Sequence, residues 1–351
     1  MIVTREMGTI LPDTTMSSPV YIDVRKEPFR LCGFCEPFRR VPVDVAEATS
    51  ERVALLAGNS TGGRIRFRTN SDFIVMHGDY YFTENSTFMP AASTSGFDIY
   101  FTENGRQKYK GVFSGSQGPN KQYTESRLRF DDSMKEVTIY FPISTSFNSV
   151  YVGLREGCVL EAAGEYTYET PVVYYGSSIV HGIGAMRPSS AYPSIISRRL
   201  DTNYINLGFG SGAKGEKAIM EYIAGLDMSV LVYDYDHNTP SYEHLEQTHY
   251  AGYKLFREKQ PDTPVIMASR VDYYHGDVAM NEKTRALIEA NYERAKAEGD
   301  KNVYFVDGSK IYPDDMVLRD DCTSDNCHPN DMGYSLMATK FGEIIEKLLK
   351  K

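Results

Sequence analysis

Two different grammars divide this chain near Gly164, and that division constrains its fold more than any other feature. Before it, short segments rich in β-branched and aromatic residues follow one another with little helix-period sequence between them. Val20 to Val24, Arg64 to Arg68, Phe97 to Phe101 and Val137 to Phe141 are of this kind, punctuated by Gly, Asn, Ser and Pro. Each such strand has one apolar face to bury, so a run of them predicts a β-sandwich of jelly-roll type. After the division, strands and helices alternate. Pro171 to Tyr175, Tyr204 to Leu207, Met228 to Tyr233, Thr263 to Ala268 and Asn302 to Val306 read as strands, with helical stretches at 191–200, 214–225, 241–260 and 280–299 between them. A last helix puts Met332, Leu336, Met337, Phe341, Ile344, Ile345 and Leu348 on one face. Alternation of this kind predicts a five-stranded parallel sheet covered on both sides, with its crevice at the carboxyl ends of the strands. Domains are expected at 1–165 and 166–351.

Composition removes several classes of function. With 47 acidic against 38 basic residues the net charge is -9, so phosphate backbones and anionic membranes are poor partners. No apolar run approaches the length of a membrane span, and the N-terminal stretch has no apolar secretory core, so a cytoplasmic protein is expected. The 5 cysteines, at 32, 35, 158, 322 and 327, are an odd and sparse set that fits reduced thiols. Cys32-Gly33-Phe34-Cys35 could share a zinc ion, but no second CxxC follows, and Cys322, Cys327 and His328 complete no zinc spacing. Neither a metal nor a cofactor is expected. Asn59-Ser60-Thr61 and Asn85-Ser86-Thr87 match glycosylation acceptors, without meaning in a chain expected to be cytoplasmic.

Chemistry concentrates at the predicted strand ends. Gly176-Ser177-Ser178 follows the first strand of the second half, where a sharp strand-to-helix turn projects a serine beside free backbone N–H groups. A serine hydroxyl needs a base. Among 7 histidines, His328 has Asp325 three residues before it, close enough for the carboxylate to fix the tautomer of the ring. Asn238 follows the third strand and Asn206-Leu207-Gly208-Phe209-Gly210-Ser211-Gly212 the second, both able to direct N–H groups into one crevice. Each segment alone reads equally well as a turn or a cap. Together they supply a nucleophile, a base with its orienting acid, and oxyanion donors. His181 and His237 read as hydrogen-bonded walls, and His244 and His249, five residues apart on a helix, do not share a face as a metal pair would.

The order and content of these segments resemble the SGNH (GDSL-type) hydrolase superfamily. Gly176-Ser177-Ser178 resembles its first block, Ser211 or Gly212 its second-block glycine, Asn238 its third block, and Asp325 to His328 its last DxxH block. Gly96-Phe97-Asp98-Ile99-Tyr100 resembles the GxDLY motif of the β-sandwich that precedes the hydrolase in one branch. The resemblance implies a flavodoxin-like α/β/α catalytic domain and a cofactor-independent serine esterase acting on acetylated carbohydrates. Ser178 would be nucleophile, His328 base and Asp325 its orienter. The oxyanion hole would be formed by Ser178, Asn238 and either Ser211 or Gly212. Ser177 stands where many relatives have Asp, and Gly210-Ser211 where relatives of this branch read Ser-Gly, so Ser211 would add a side chain at the oxyanion position. An acyltransferase of the same fold, or a glycan-binding protein with a decayed hydrolase site, are the rival readings. The expected partner is a small-molecule or oligosaccharide ester, with no nucleic acid or membrane and with self-association left open.

Overall fold

The computed structural model describes residues 1–114 and 123–350 and divides into two units. The first comprises residues 1–40, 58–166 and 186–189. Its strands are β1 (Val20–Asp23), β2 (Arg30–Cys32), β3 (Arg64–Thr69), β4 (Phe73–Thr83), β5 (Phe97–Glu103), β6 (Arg106–Phe113), β7 (Tyr123–Arg129), β8 (Lys135–Tyr140), β9 (Thr145–Leu154) and β10 (Leu160–Glu161). One sheet has the order β1-β9-β4-β7, the other β10-β3-β8-β5-β6, with β2 against β3. All these pairings are antiparallel. The nesting of β1 with β9, β3 with β8, β4 with β7 and β5 with β6 is the wrapping order of a jelly roll. Alternation along the strands sends Ile65, Phe67, Ile99, Val137 and Ile139 of one sheet to the same core as Ile22, Ile74, Met76, Val150 and Val152 of the other.

The Gly96 to Tyr100 segment has an identifiable task in this unit. Asp98 is fully buried and its Oδ2 accepts from the Ser189 amide at 3.3 Å and from the Ser189 hydroxyl, with Arg187 Nε 3.5 Å away. Tyr100 adds a hydroxyl contact to Ser189 Oγ at 2.8 Å, and the Arg187 guanidinium lies over the Tyr109 ring at 4.4 Å. The motif therefore anchors residues 186–189, which follow the Ser178 turn in the chain. Asp98→Ala strips a buried amide and a hydroxyl of their acceptor, so it is expected to cost about 2–4 kcal/mol in urea unfolding. A change below about 0.5 kcal/mol, the range of neutral surface substitutions, would rule out that anchoring role.

The second unit comprises residues 41–57, 167–185 and 190–351. Its strands β11 (Tyr168–Gly176), β12 (Thr202–Gly208), β13 (Val230–Asp234), β14 (Val265–Ala268) and β15 (Val303–Val306) form one parallel sheet in the order β12-β11-β13-β14-β15. This is the flavodoxin-like order, with its topological switch point beside the central strand β11. The longer helices are α5 (Tyr192–Leu200), α6 (Lys217–Ala224), α7 (Tyr242–Lys259), α8 (Val278–Ala297) and α10 (Asp331–Leu349), and α4 (Ser178–His181) and α9 (Met316–Asp320) are short. Val173 and Tyr175 of β11 pack with Ile219, Ile223, Leu245 and Ile288. Their neighbour Tyr174 points the opposite way, edge-on to Tyr192 of α5, which in turn meets Tyr334 and Phe341 of α10.

One stretch departs from the sequence reading. Residues 41–57, expected within the β-rich half, are the helices α1 (Val43–Thr49) and α2 (Glu51–Leu56) of the second unit. Ala46, Val53 and Leu56 join the core beneath α6. The helical period is hard to see because Ser50 interrupts it, its side chain capping α2 at the Val53 amide. Among the described residues no helix is long and apolar enough to cross a membrane.

Candidate active site

The sheet register explains why distant segments converge. Gly176 is paired with Gly208 on one side and with Asp234 on the other, so β11, β12 and β13 end at one level and their following loops start side by side. A methyl group at Gly176 would lie 2.0 Å from the Asp234 carbonyl oxygen, so only glycine lets the chain turn off the sheet there. The Ser177 amide then bonds to that carbonyl at 3.2 Å, and the Ser177 hydroxyl caps α4 at the Ile179 amide. Ser178 opens the helix. Two residues fasten it, Asn206 from the glycine loop and Tyr334, which the sequence did not single out. Asn206 donates to the Val180 carbonyl at 2.7 Å, and the Tyr334 hydroxyl, reaching from α10, contacts the Ile179 and Ile183 carbonyls at 3.0 and 2.7 Å.

His328 sits in the loop before α10, and its Nε2 is 2.9 Å from Ser178 Oγ. Its Nδ1 is 2.8 Å from Asp325 Oδ2. An ionised carboxylate only accepts, so the ring proton resides on Nδ1 and the Nε2 lone pair faces the serine hydroxyl. Asp325 is fixed in turn, its Oδ1 accepting from the amides of His328 at 2.7 Å and Cys327 at 3.2 Å. Burial pushes the Asp325 carboxyl up, but these amides and the imidazole outweigh it and hold the group below its ordinary value.

The oxyanion side differs from expectation at one position. The amide of Ser211 donates to Asn238 Oδ1 at 3.1 Å and that of Gly212 to the Phe209 carbonyl at 2.8 Å, so both expected donors are engaged elsewhere. Gly210 is the residue against the serine: a methyl there would lie 3.3 Å from Ser178 Cβ. Among the described residues the amides of Gly210 and Ser178 have no acceptor. Asn238, on a 3-10 turn at Asp236–Asn238, clamps the loop by also donating to the Phe209 carbonyl at 2.8 Å, which leaves its second N–H unused by that bond. Ser211 is exposed and held at φ 58, a left-handed conformation.

Among the other sequence candidates, His181 is buried in α4, its Nδ1 4.0 Å from a methyl placed on Gly210. His244 contacts the Lys214 carbonyl at 2.8 Å, and His249 is buried against Asn291, where burial lowers its pKa to about 3. Cys32 is buried and Cys35 exposed in the first unit, and neither belongs to a group of metal-capable donors among the described residues. Asn59 of the first acceptor sequence is fully buried and bonded to Ser146, so it is no glycosylation site. Two donor groups do occur near His328, formed by His237, Asp272 and Cys327 and by Asp325, Cys327 and His328. In the first, the Arg270 guanidinium already forks the Asp272 carboxylate, which disfavours a second cation. In both, burial and the charges of Asp272 and Asp325 push the Cys327 thiol up to about 12, so it is protonated in the metal-free protein.

Residues 169–346 match the model of the GDSL-like lipase/acylhydrolase family, and residues 20–160 match the model for the N-terminus of SGNH hydrolase-type esterases. The curated proteins contain no match. Among solved structures the chain is similar to a Bacteroides ovatus protein described as a GDSL-like lipase, at 27% identity and TM-score 0.84 over 95% of this chain and 98% of that one. It also resembles a salicylyl-acyltransferase from a tetracycline biosynthetic pathway, at 18% identity and TM-score 0.73 over 94% and 97% of the two chains. A family two carbohydrate esterase from Clostridium thermocellum, in complex with cellohexaose, aligns at 15% identity and TM-score 0.57 over 83% and 93%. The last two are likenesses of fold.

Proposed function

Because the chain belongs to the GDSL-like lipase/acylhydrolase family, we propose that it is a serine esterase in which Ser178, His328 and Asp325 act as a triad on acetyl esters of carbohydrates. The observation that carries this reading is the continuous chain of bonds from Asp325 through His328 to Ser178, at 2.8 and 2.9 Å. Ser178 Oγ attacks the ester carbonyl while His328 Nε2 takes its proton. The tetrahedral oxyanion is met by the amides of Ser178 and Gly210 and by the Asn238 side chain. His328 then returns the proton to the leaving alcohol, and water, deprotonated by the same nitrogen, releases the acyl group from Ser178. Gly210 thus takes the place first given to Ser211 or Gly212.

The sugar-ester assignment draws its support from the fold shared with family two carbohydrate esterases and from the sandwich that precedes the hydrolase. It is tested by a screen of chromogenic esters of increasing acyl length, followed by acetylated oligosaccharides. Highest kcat/KM on acetate and release of acetate from the oligosaccharides is the expected result. Absence of turnover on every ester would leave a glycan-binding protein. Acyl transfer to an added alcohol in preference to water would make the chain a transferase.

The oxyanion assignment gives a contrast between two bonded loops. Ser211→Gly is expected to keep kcat within about two-fold of wild type, because the donor count is unchanged and glycine accepts the left-handed backbone without strain. Asn238→Ala removes a donor and the clamp on the Gly210 loop, and is expected to lose about 100-fold or more. Equal losses in the two variants, by steady-state kinetics, would assign a role to the Ser211 side chain, since its amide is kept in Ser211→Gly.

A further inference from the structure

Beside the triad lies a buried charged cluster that the mechanism leaves unused. Asp272, 3% exposed, follows β14. Its Oδ1 accepts from Arg270 Nε at 2.8 Å and its Oδ2 from Arg270 Nη2 at 2.7 Å, a two-pronged pair. The same Oδ1 stands 2.6 Å from His237 Nε2, and the Arg270 amide donates to Asp236 Oδ2 at 2.9 Å. The 270–272 loop therefore grips the first two residues of the Asp236–Asn238 turn, while the third, Asn238, grips the Gly210 loop. On its other side, the cluster meets the base. Cys327 Sγ lies within 4.8 Å of the His237 and Asp272 donor atoms, and Cys327 immediately precedes His328.

A buried ion pair contributes little to stability compared with apolar filling, since desolvation offsets its attraction. What it supplies is geometry: a fork that fixes Arg270, with Oδ1 shared between that fork and His237. Resting on the esterase reading above, we infer that Asp272 is a positioning residue, which through His237 holds the turn that aims Asn238 and so places the Gly210 amide beside Ser178. It touches neither substrate nor nucleophile, and its effect passes through Asn238.

The test is a double-mutant cycle on the full chain with 4-nitrophenyl acetate, comparing wild type, Asp272→Asn, Asn238→Ala and the double variant, with Ser178→Ala as reference. Asp272→Asn is expected to lower kcat about 10- to 100-fold, part of the loss of a whole oxyanion donor, with KM within about two-fold. If Asp272 acts through Asn238, the double variant is no slower than Asn238→Ala alone by more than about two-fold. Multiplying losses, or an Asp272→Asn enzyme with at least half the wild-type kcat, would overturn the inference while Ser178→Ala remains inactive. Activity in Ser178→Ala would instead overturn the esterase reading. If Asp272→Asn melts below the assay temperature, His237→Ala replaces it in the cycle, because it cuts the same link and leaves the Arg270 pair in place.

Discussion

Ser178→Ala is expected to reduce ester hydrolysis by at least about 1,000-fold while leaving the thermal melt where it is. The two halves of that expectation have separate causes. Ser178 Oγ contacts His328 Nε2, and in the proposed mechanism the hydroxyl serves only the proton relay. The fold at this point rests on other groups: Ser177 caps α4, Ile179 and Val180 are buried, and Asn206 and Tyr334 hold the helix carbonyls. Alanine also suits a helical first turn. His328→Ala should be about as damaging, and the double variant no worse than either, because members of a relay act as a unit. A Ser178→Ala protein retaining more than about 1% of wild-type kcat/KM, with a wild-type circular-dichroism melt, would falsify the nucleophile assignment.

The parts of this site that were legible in the sequence are those whose chemistry lies in side chains at short spacing. Asp325 and His328 are three residues apart, and the glycine before Ser177 marks the turn on its own. The oxyanion loop was not legible in the same way. Gly208, Gly210 and Gly212 offer three glycines in five residues, and a backbone amide leaves no residue-type signature. What distinguishes Gly210 is its approach to Ser178 Cβ together with the engagement of the Ser211 and Gly212 amides. That contact spans two strands and depends on the shared register of β11 and β12. Asp272 was hidden for a similar reason. It lies 35 residues from His237 in the chain, and an acid after a strand reads as an ordinary turn.

The fold shows the same division. Five strands with intervening helices follow directly from alternating periods, and the switch-point crevice follows from the parallel sheet. The placement of α1 and α2 does not, because their apolar residues are ordinary for either unit and only the partner core decides between them. The Asp98 anchor was visible as a motif but not as a task. Its target, Ser189, is 91 residues away and belongs to a segment that sequence reading assigned to the other half of the chain.

Asp325→Asn is expected to be nearly as costly as loss of the base itself, lowering kcat by about 1,000- to 10,000-fold. The substitution preserves shape, and the Asn carbonyl oxygen can still accept from the His328 and Cys327 amides that now bind Oδ1. With that oxygen so held, the amide NH2 replaces Oδ2 opposite His328 Nδ1, where a donor would face a donor. The ring resolves the conflict by moving its proton to Nε2, which turns that nitrogen from an acceptor into a donor towards Ser178 and removes the base. Raising the pH does not restore activity, since the wrong tautomer is already neutral. The native carboxylate avoids this because burial, which raises its pKa, is outweighed by the two amides and the imidazole, which hold it below its ordinary value and keep it an acceptor. Nitrogen-15 shifts of the His328 ring report the tautomer directly, alongside kcat over pH. An Asp325→Asn enzyme with more than about a tenth of wild-type kcat and an Nδ1-protonated ring would show that the His328 loop, and not Asp325, fixes the base.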